Sequence, residues 1–256
     1  MTGLHRAAAQ GFASASAAYA RGRPDYPQAL HDWLSTPLST RGGARWLDLG
    51  AGTGKFTRQL MGRGAEVLAV EPVAAMRERL QQALPELEVL DGRAESMPLP
   101  DASVDAIVCA QAFHWFANTA ALREMHRVLR PGGRLLLVWN VRDASVDWVA
   151  AITELISPYE GDAPRHHSGR WREPFEKQPW FGALQRTEFA HAHEGDFNEV
   201  VVDRFLSVSF IAALPEAQQR AIEAELRALP QRFAALSASR IRFPYRTEAW
   251  VVERLD

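Results

Sequence analysis

The sequence has little of what marks several large classes of protein. Cys109 is the only cysteine, which excludes an internal disulfide and any paired-cysteine metal motif. No apolar run approaches the roughly 18 residues that a membrane-spanning helix needs. The 29 Lys and Arg residues nearly balance the 31 Asp and Glu residues, so the net charge is −2, and no basic block stands out. We therefore expect a cytoplasmic monomer or homodimer that binds neither membranes nor nucleic acid.

Signals for export and for metal binding are also missing. His5, Arg6 and Gln10 interrupt the Ala-rich beginning of the chain, so a secretory signal is not expected there. There is no H-E-x-x-H motif, and the pair His191 and His193 has no third ligand at a recognisable spacing. We expect no metal.

Short apolar segments alternate with amphipathic ones between Arg45 and Asn140. Such alternation predicts parallel strands joined by crossover helices, which cover both faces of the sheet. The turn Pro131-Gly132-Gly133 is predicted to end the last helix and to begin the fifth strand. In chain order the predicted elements are strand RWLDL, a helix over 54–62, strand EVLAV, helix AAMRERLQQAL, strands LEVLD and VDAIVCAQ, helix TAALREMHRVL and strand RLLLVWN.

After Asn140 the pattern becomes mainly helical, with a long helical run predicted over 215–236. Two strand candidates follow the first five, at 187–194 and 240–255. The sequence therefore predicts an α/β fold with seven strands and a helical insertion.

The stretch LDLGAGTGKFT, at 47–57, places glycines at every second position directly after an apolar strand. Glycines there let a ligand lie against bare backbone. A Walker phosphate loop would need Gly at Leu49 and Ser or Thr at Phe56. A dinucleotide fingerprint would need Gly at Lys55, or Gly or Ala at Thr57. Neither phosphate-binding motif is present.

What remains is D-x-G-x-G-x-G, from Asp48 to Gly54, with the acidic residue Glu71 about 20 residues further on, at the end of the second strand. A carboxylate at that place can accept hydrogen bonds from both ribose hydroxyls. The motif therefore predicts a ligand that carries ribose and need not carry phosphate.

On these motifs the chain resembles the class I S-adenosylmethionine-dependent methyltransferases, and S-adenosylmethionine is the implied cofactor. The resemblance implies one Rossmann-like doubly wound domain over 1–256, with a mostly parallel sheet, an antiparallel last strand and a small helical cap. It divides the chain into an N-terminal helical lid segment (1–40), a cofactor-binding core (45–140), and a cap insertion with closing strands (141–256).

The resemblance also assigns roles around the cofactor. The stretch DGRAESMPLPDASVDAIVCAQAFHW resembles the family's third and fourth strands, with a turn against adenine between them. The implied cofactor-binding residues are Asp48, Gly50, Gly52 and Gly54 for the methionine part, Glu71 for ribose, Met76, Arg93, Ala94 and Glu95 for adenine, and Gln111.

More narrowly, YARGRPDYP, AFHWF, RFLSVSF and FPYRTEAWVVERL resemble the methyltransferase type 11 and trans-aconitate methyltransferase-like branch, which implies a small-molecule acceptor. In that branch the N-terminal segment folds over the cofactor. Tyr19 and Arg23 are therefore further cofactor-binding candidates, and an arginine there could pair with the methionine carboxylate.

His114 is the candidate catalytic residue, because it follows the fourth strand and titrates close enough to neutrality to act as a base or an orienting group. The alternative is that His114 and Trp115 only roof the cofactor pocket. Trp115 and Arg142 are the substrate-binding candidates. If the acceptor is a carboxylate rather than a hydroxyl oxygen, it needs no base, and arginines could clamp it: Arg142, Arg165, Arg170 and Arg172.

Two other functions remain open on the sequence. A non-catalytic S-adenosylmethionine-binding domain would keep the same motif, whereas a nicotinamide-dependent oxidoreductase is disfavoured by the missing third fingerprint glycine. A nucleic-acid methyltransferase is disfavoured by the charge balance and by QAFHWF, which stands where an N-P-P-Y-like motif would be expected.

Overall fold

A computed structural model describes residues 22–38 and 43–256 of the chain. These residues group into two compact units, which we call the core unit and the helical unit. The core unit comprises 26–139, 164–189 and 247–256, and the described part of the helical unit comprises 22–25, 140–163 and 190–246.

The core unit is built on a seven-stranded sheet, whose strands are β1 (Arg45–Leu49), β2 (Glu66–Val70), β3 (Glu88–Leu90), β4 (Val104–Ala110), β5 (Leu129–Arg142), β6 (Gln185–Gly195) and β7 (Ile241–Glu253). Their order in the sheet is β3-β2-β1-β4-β5-β7-β6. Strands β1 to β5 pair in parallel, and the closing strands of the chain are antiparallel, which confirms the predicted fold class. The ends of β5, β6 and β7 belong to the helical unit.

Apolar residues of the central strands are buried against the helices of the core unit. Trp46 of β1 and Val108 of β4 pack in one cluster with Leu30 and Leu60, while Ala69 of β2 packs with Leu80 in another. Strands that are covered in this way read as continuous apolar runs, which is why the sequence revealed them. The helices are α1 (Gln28–Trp33), α2 (Thr57–Leu60), α3 (Ala74–Ala83) and α4 (Thr119–Val128), with 3-10 helices at Phe113–Trp115, His166–Ser168 and Arg170–Phe175.

Two predicted boundaries in the core unit are wrong. The helix predicted over 54–62 is regular only over α2, because Gly54 and Gly62 adopt positive φ angles. Strand β5 begins at Leu129, before Pro131, since a residue that precedes proline disfavours helical backbone. The turn Pro131–Gly133 therefore lies inside the strand, where the pairing of β4 with β5 shifts register.

The helical unit has a separate apolar core. Trp148, Ile152, Phe205 and Phe243 are buried in it together. The helical run predicted over 215–236 ends as an α-helix at Ala228 and continues as short 3-10 helices, because Pro230 cannot continue α-helical hydrogen bonding. The elements of this unit are α5 (Asp147–Ile156), a π-helix (Asn198–Asp203), α6 (Arg204–Leu206), α7 (Ser209–Ala212) and α8 (Glu216–Ala228), with 3-10 helices at Ser157–Tyr159, Leu229–Gln231 and Ala234–Ser237.

Candidate active site

The glycine loop leaves β1 with a backbone that side chains would obstruct. Gly50 and Gly52 have φ angles of +73° and +58°, in the left-handed region that favours glycine. The Gly50 amide donates to the carbonyl oxygen of Val70 at 2.8 Å, which ties the loop to β2. A Cβ atom on Gly50 would lie 2.8 Å from that of Ala112. The loop thus requires glycine at Gly50 both for its conformation and for its packing.

The buried carboxylate of Glu71 holds this loop in place. One oxygen accepts a hydrogen bond from the amide of Gly52 and the other from the amide of Val73, each at 2.9 Å. Burial raises the pKa of Glu71, and the two backbone hydrogen bonds oppose that rise. Each carboxylate oxygen keeps a second lone pair. Glu71 therefore supports the loop and retains acceptor sites for ligand hydroxyls.

Asp48, near the end of β1, is a second buried carboxylate, and only one of its two oxygens accepts a hydrogen bond from a described residue. Its Oδ2 accepts a hydrogen bond from the Thr57 hydroxyl at 2.6 Å, while its Oδ1 has no hydrogen-bond partner among the described residues. Burial raises the pKa of Asp48 to about 7, and the negative charge of Glu71 adds to the rise. A cation or a hydrogen-bond donor beside Oδ1 would favour the ionised form.

Together these groups define the chemistry of the ligand. Two buried carboxylates beside the loop would repel a phosphate, since like charges in a buried site are strongly unfavourable. They suit a ligand that brings hydroxyl donors and positive charge. S-adenosylmethionine has both, in its ribose and in its ammonium and sulfonium groups, so the residues fit the cofactor that the resemblance implies. Asp48, Glu71 and the glycine loop would hold it.

The predicted adenine turn is closed by its own backbone. Arg93 and Ser96 exchange amide hydrogen bonds of 3.3 and 3.0 Å, and Ala94 between them is buried. Glu95 accepts a hydrogen bond from the Asn118 amide group at 2.9 Å. Asn118 also caps α4, where its Oδ1 accepts from the amide of Ala121 at 2.8 Å. The cap thus connects the turn to a rigid helix.

Met76 and Gln111 complete the predicted cofactor residues of the core unit. The sulfur of Met76 would lie 3.7 Å from a Cβ on Gly52, so this buried side chain borders the glycine loop. Gln111 follows β4 with a φ angle of +57°, which is unusual for a residue other than glycine. Such strain concentrates at functional sites. Asp48, Gly50, Gly52, Gly54, Glu71, Met76, Arg93, Ala94, Glu95 and Gln111 all belong to this one unit.

His114 lies in the 3-10 helix after β4, and its ring is held by Trp139 of β5. The indole Nε1–H donates to His114 Nδ1 at 3.1 Å. Because an indole nitrogen only donates, Nδ1 must be the acceptor, and the proton of the neutral imidazole then resides on Nε2. No local sequence pattern indicates this partner, which is 25 residues away.

Aromatic and charged side chains of the segment 164–189 surround Trp139. The rings of His166 and Trp171 lie 4.5 and 4.7 Å from it, centroid to centroid. His166 Nε2 is 3.3 Å from a carboxylate oxygen of Glu248. Burial alone would raise the pKa of Glu248, but His166, Trp250 and Arg186 outweigh burial and hold it at about 2.

The remaining predicted site residues that the structure describes are divided between the core unit and the helical unit. Arg23 and Arg142 belong to the helical unit, where Arg23 donates to the carbonyl oxygen of Ser207 at 3.2 Å and Arg142 lies over the ring of Phe205. Tyr19 lies outside the described residues. In the core unit, Arg165 lies over Trp115, Arg172 stacks on Trp171 and Trp250, and Arg170 is exposed.

Sequence reasoning missed Thr57, Trp139, Glu248 and Arg204. All four lie in quoted stretches, namely LDLGAGTGKFT, RLLLVWN, FPYRTEAWVVERL and RFLSVSF, but none of these stretches indicates the side-chain contacts that the residues make. In the part of the chain that the structure describes, no group of three or more His, Cys, Asp or Glu residues could hold a metal ion. No helix in the same part is long and apolar enough to cross a membrane.

Comparisons with known proteins show that the chain is similar to methyltransferases. A family model described as a methyltransferase domain matches residues 47–137. An uncharacterized methyltransferase-like protein of Schizosaccharomyces pombe is 36% identical over 238 residues, which cover 92% of each chain. An uncharacterized methyltransferase of Mycobacterium bovis is 50% identical over 165 residues, which cover 64% of this chain and 66% of that protein.

Solved structures share the fold. The YcgJ protein of Bacillus subtilis has a TM-score of 0.59 and 21% identity, and the match covers 90% of this chain and 100% of that one. Phosphoethanolamine N-methyltransferase 2 of Haemonchus contortus, in complex with phosphomonomethylethanolamine and S-adenosylhomocysteine, has a TM-score of 0.59 and 13% identity. That match covers 100% of this chain and 61% of the other. The trans-aconitate methyltransferase-like branch stays a prediction.

Three findings lead to the same conclusion. The glycine loop lies beside two buried carboxylates that disfavour phosphate, the sheet has seven strands, and a relative is 36% identical over nearly all of both chains. The chain belongs to the class I S-adenosylmethionine-dependent methyltransferases.

Proposed function

We propose that this methyltransferase acts on a carboxylate oxygen of a small-molecule acceptor. The observation that carries the proposal is the hydrogen bond from Trp139 to His114 Nδ1. It occupies the basic nitrogen of the imidazole and leaves Nε2 as a donor. A hydroxyl acceptor needs its proton removed, which His114 in this tautomer is poorly placed to do. A carboxylate already carries the nucleophilic charge.

In the proposed mechanism His114 orients the acceptor. When bound, S-adenosylmethionine supplies an electrophilic methyl group on a sulfonium sulfur. His114 Nε2–H donates to the acceptor and fixes its position, and Trp139 prevents the imidazole ring from rotating. Alignment and exclusion of water are the main sources of rate in such a displacement. The aromatic rings beside Trp139 supply an apolar wall, to which we propose that Trp115 contributes.

We assign supporting roles to residues outside the core unit. Tyr19 and Arg23 belong to a proposed N-terminal lid over 1–40, and Arg142 is a proposed substrate-binding residue of the cap over 141–256. The core over 45–140 would bind the cofactor. Small-molecule action is supported by the Haemonchus contortus structure, which holds a small phosphorylated amine. The comparisons lend no support to a non-catalytic binder or to a nicotinamide-dependent enzyme.

A methyl-transfer screen tests the proposal. Purified protein and S-adenosylmethionine are incubated with matched sets of carboxylic acids, alcohols, phenols and amines, and products are identified by mass spectrometry. We expect products only from acids, and mild alkali should return the acid because a methyl ester hydrolyses. Transfer to alcohols or amines, with no transfer to acids, would contradict the assignment of the acceptor and leave the methyltransferase assignment intact.

A further inference from the structure

Arg204 of the helical unit is a buried cation for which the described residues supply no counter-charge. The residue is 8% exposed, and its Nε donates to the hydroxyl oxygen of Tyr245 at 3.0 Å. Among the described residues its Nη1 has no hydrogen-bond partner, and no carboxylate forms an ion pair with its guanidinium. Arginine does not lose its proton in proteins, and an unpaired buried charge is strongly unfavourable. The structure therefore leaves a charge to be neutralised.

The groups around Arg204 add positive charge. Arg142 and Arg204 approach the ring of Phe205, with their guanidinium carbons 5.4 and 5.6 Å from its centroid. Arg23 donates to the carbonyl oxygen of Ser207, whose hydroxyl in turn donates to the Arg204 carbonyl oxygen at 2.9 Å. Positive charge on these side chains raises the electrostatic potential at Arg204 and so favours an anion there.

The backbone positions Arg204 independently of its charge. The π-helix Asn198–Asp203 ends immediately before it. Such wide helical turns are rare in proteins overall, and those that occur are often found at functional sites. Gly22 packs so closely that a Cβ on it would lie 2.6 Å from the backbone nitrogen of Arg204. The guanidinium is thus held inside the unit by packing of the chain.

We propose that Arg204 and Tyr245 form an oxyanion-binding site of the helical unit, which takes the carboxylate or phosphate group of a small molecule. Guanidinium groups bind both anions through paired N–H donors. Because the Tyr245 oxygen accepts from Arg204, its own O–H remains available to donate to the same anion. Arg142 adds a second positive charge near the ring of Phe205. The site does not depend on the acceptor proposed above.

The test combines thermal unfolding with calorimetric titration of the whole chain, without S-adenosylmethionine. The probes are sodium succinate and sodium phosphate, against sodium chloride at matched ionic strength. We expect at least one probe to raise the Tm of the native protein more than chloride does, because a ligand that binds only the folded state stabilises it. Stabilisation by succinate alone identifies a carboxylate site, and by phosphate alone a phosphate site.

Three variants locate the effect. Arg204→Met should weaken binding of the probe at least 10-fold, and Tyr245→Phe should weaken it several-fold. Arg242→Met is the matched control, since it removes the same charge from a side chain that is 78% exposed and paired with Glu194, and it should bind like the native protein. Without the probe, Arg204→Met should melt at or above the native Tm, because it removes an uncompensated buried charge.

Several results would overturn the site. One is the absence of stabilisation by either probe beyond chloride, and another is equal binding to the native protein and to Arg204→Met. If Arg204→Met does not fold, Tyr245→Phe and Arg204→Lys decide, because Lys keeps the charge but loses the paired donors. Native binding in both would then exclude the proposed site.

Discussion

The two units of this protein bury charges of opposite sign. In the core unit the buried ionisable side chains beside the glycine loop are the carboxylates of Asp48 and Glu71, and Asp48 Oδ1 has no hydrogen-bond partner among the described residues. In the helical unit the buried charge is Arg204, which has no described counter-charge. We therefore expect the core unit to bind a ligand with positive charge and the helical unit to bind a ligand with negative charge. At these two places the unsatisfied buried atom indicates the sign of the charge that a ligand would bring.

The largest effect on ligand binding is expected from neutralising Asp48. Asp48→Asn keeps the shape of the side chain and an acceptor for Thr57, but it removes the charge that favours a cationic ligand. We expect calorimetry to show about a 100-fold loss of S-adenosylmethionine affinity, on the scale of a buried charged hydrogen bond. Arg204→Met is the complementary control and should leave that affinity within about twofold. If both variants lost S-adenosylmethionine affinity equally, the buried charges of the two units would not have the separate roles assigned to them.

The pH dependence of the free energy of unfolding tests whether the buried group of the core unit is the Asp48 carboxyl. The pKa of Asp48 rises from 3.8 in the unfolded chain to about 7 in the fold, so the folded state binds the proton more tightly. The free energy of unfolding should therefore fall as the pH rises from about 4 to about 7, by up to about 4 kcal/mol. Urea unfolding without cofactor at pH 5 and pH 7 measures this fall. Asp48→Asn should flatten it, and identical slopes in both proteins would count against a buried, protonated Asp48.

A comparison of Gly50 with Gly43 distinguishes two costs of adding a side chain, which are steric crowding and backbone strain. Both have positive φ angles, but a Cβ on Gly43 meets nothing within 4 Å, whereas one on Gly50 meets Ala112. Gly50→Ala should cost about 2 kcal/mol or more, and Gly43→Ala about 1 kcal/mol. Thermal unfolding checks both variants. If the two Tm values fall equally, the glycine loop is not as closely packed as described.

The smallest effect on function is expected from replacing Trp139, the hydrogen-bond partner of His114. Trp139→Phe keeps an aromatic ring but removes the indole donor, so it should lower kcat about 10-fold with little change in cofactor affinity. His114→Ala should lower kcat at least as much, and the double variant should be no slower than His114→Ala, because both changes remove one interaction. Additive losses would show that Trp139 acts through another contact.

The sequence predicted what depends on local patterns. Glycine spacing after an apolar strand and Glu71 at the end of the next strand were sufficient for the loop and its ligand class, because strand, turn and helix signals act over a few residues. The hydrogen bond between Trp139 and His114 and the burial of Arg204 could not be read in this way. They arise from packing between segments far apart in the chain, and an arginine is exposed in most proteins.

Calorimetric titration of the native protein with S-adenosylmethionine at pH 6, in two buffers of different ionisation enthalpy and with NADH as a control, tests the central claim most directly. If the core unit selects a cationic, phosphate-free nucleoside through Asp48, binding should release a proton. The enthalpy should then differ between the buffers for the native protein and agree for Asp48→Asn, and NADH should not bind. Binding of NADH, or S-adenosylmethionine binding with no dependence on the buffer, would contradict the account.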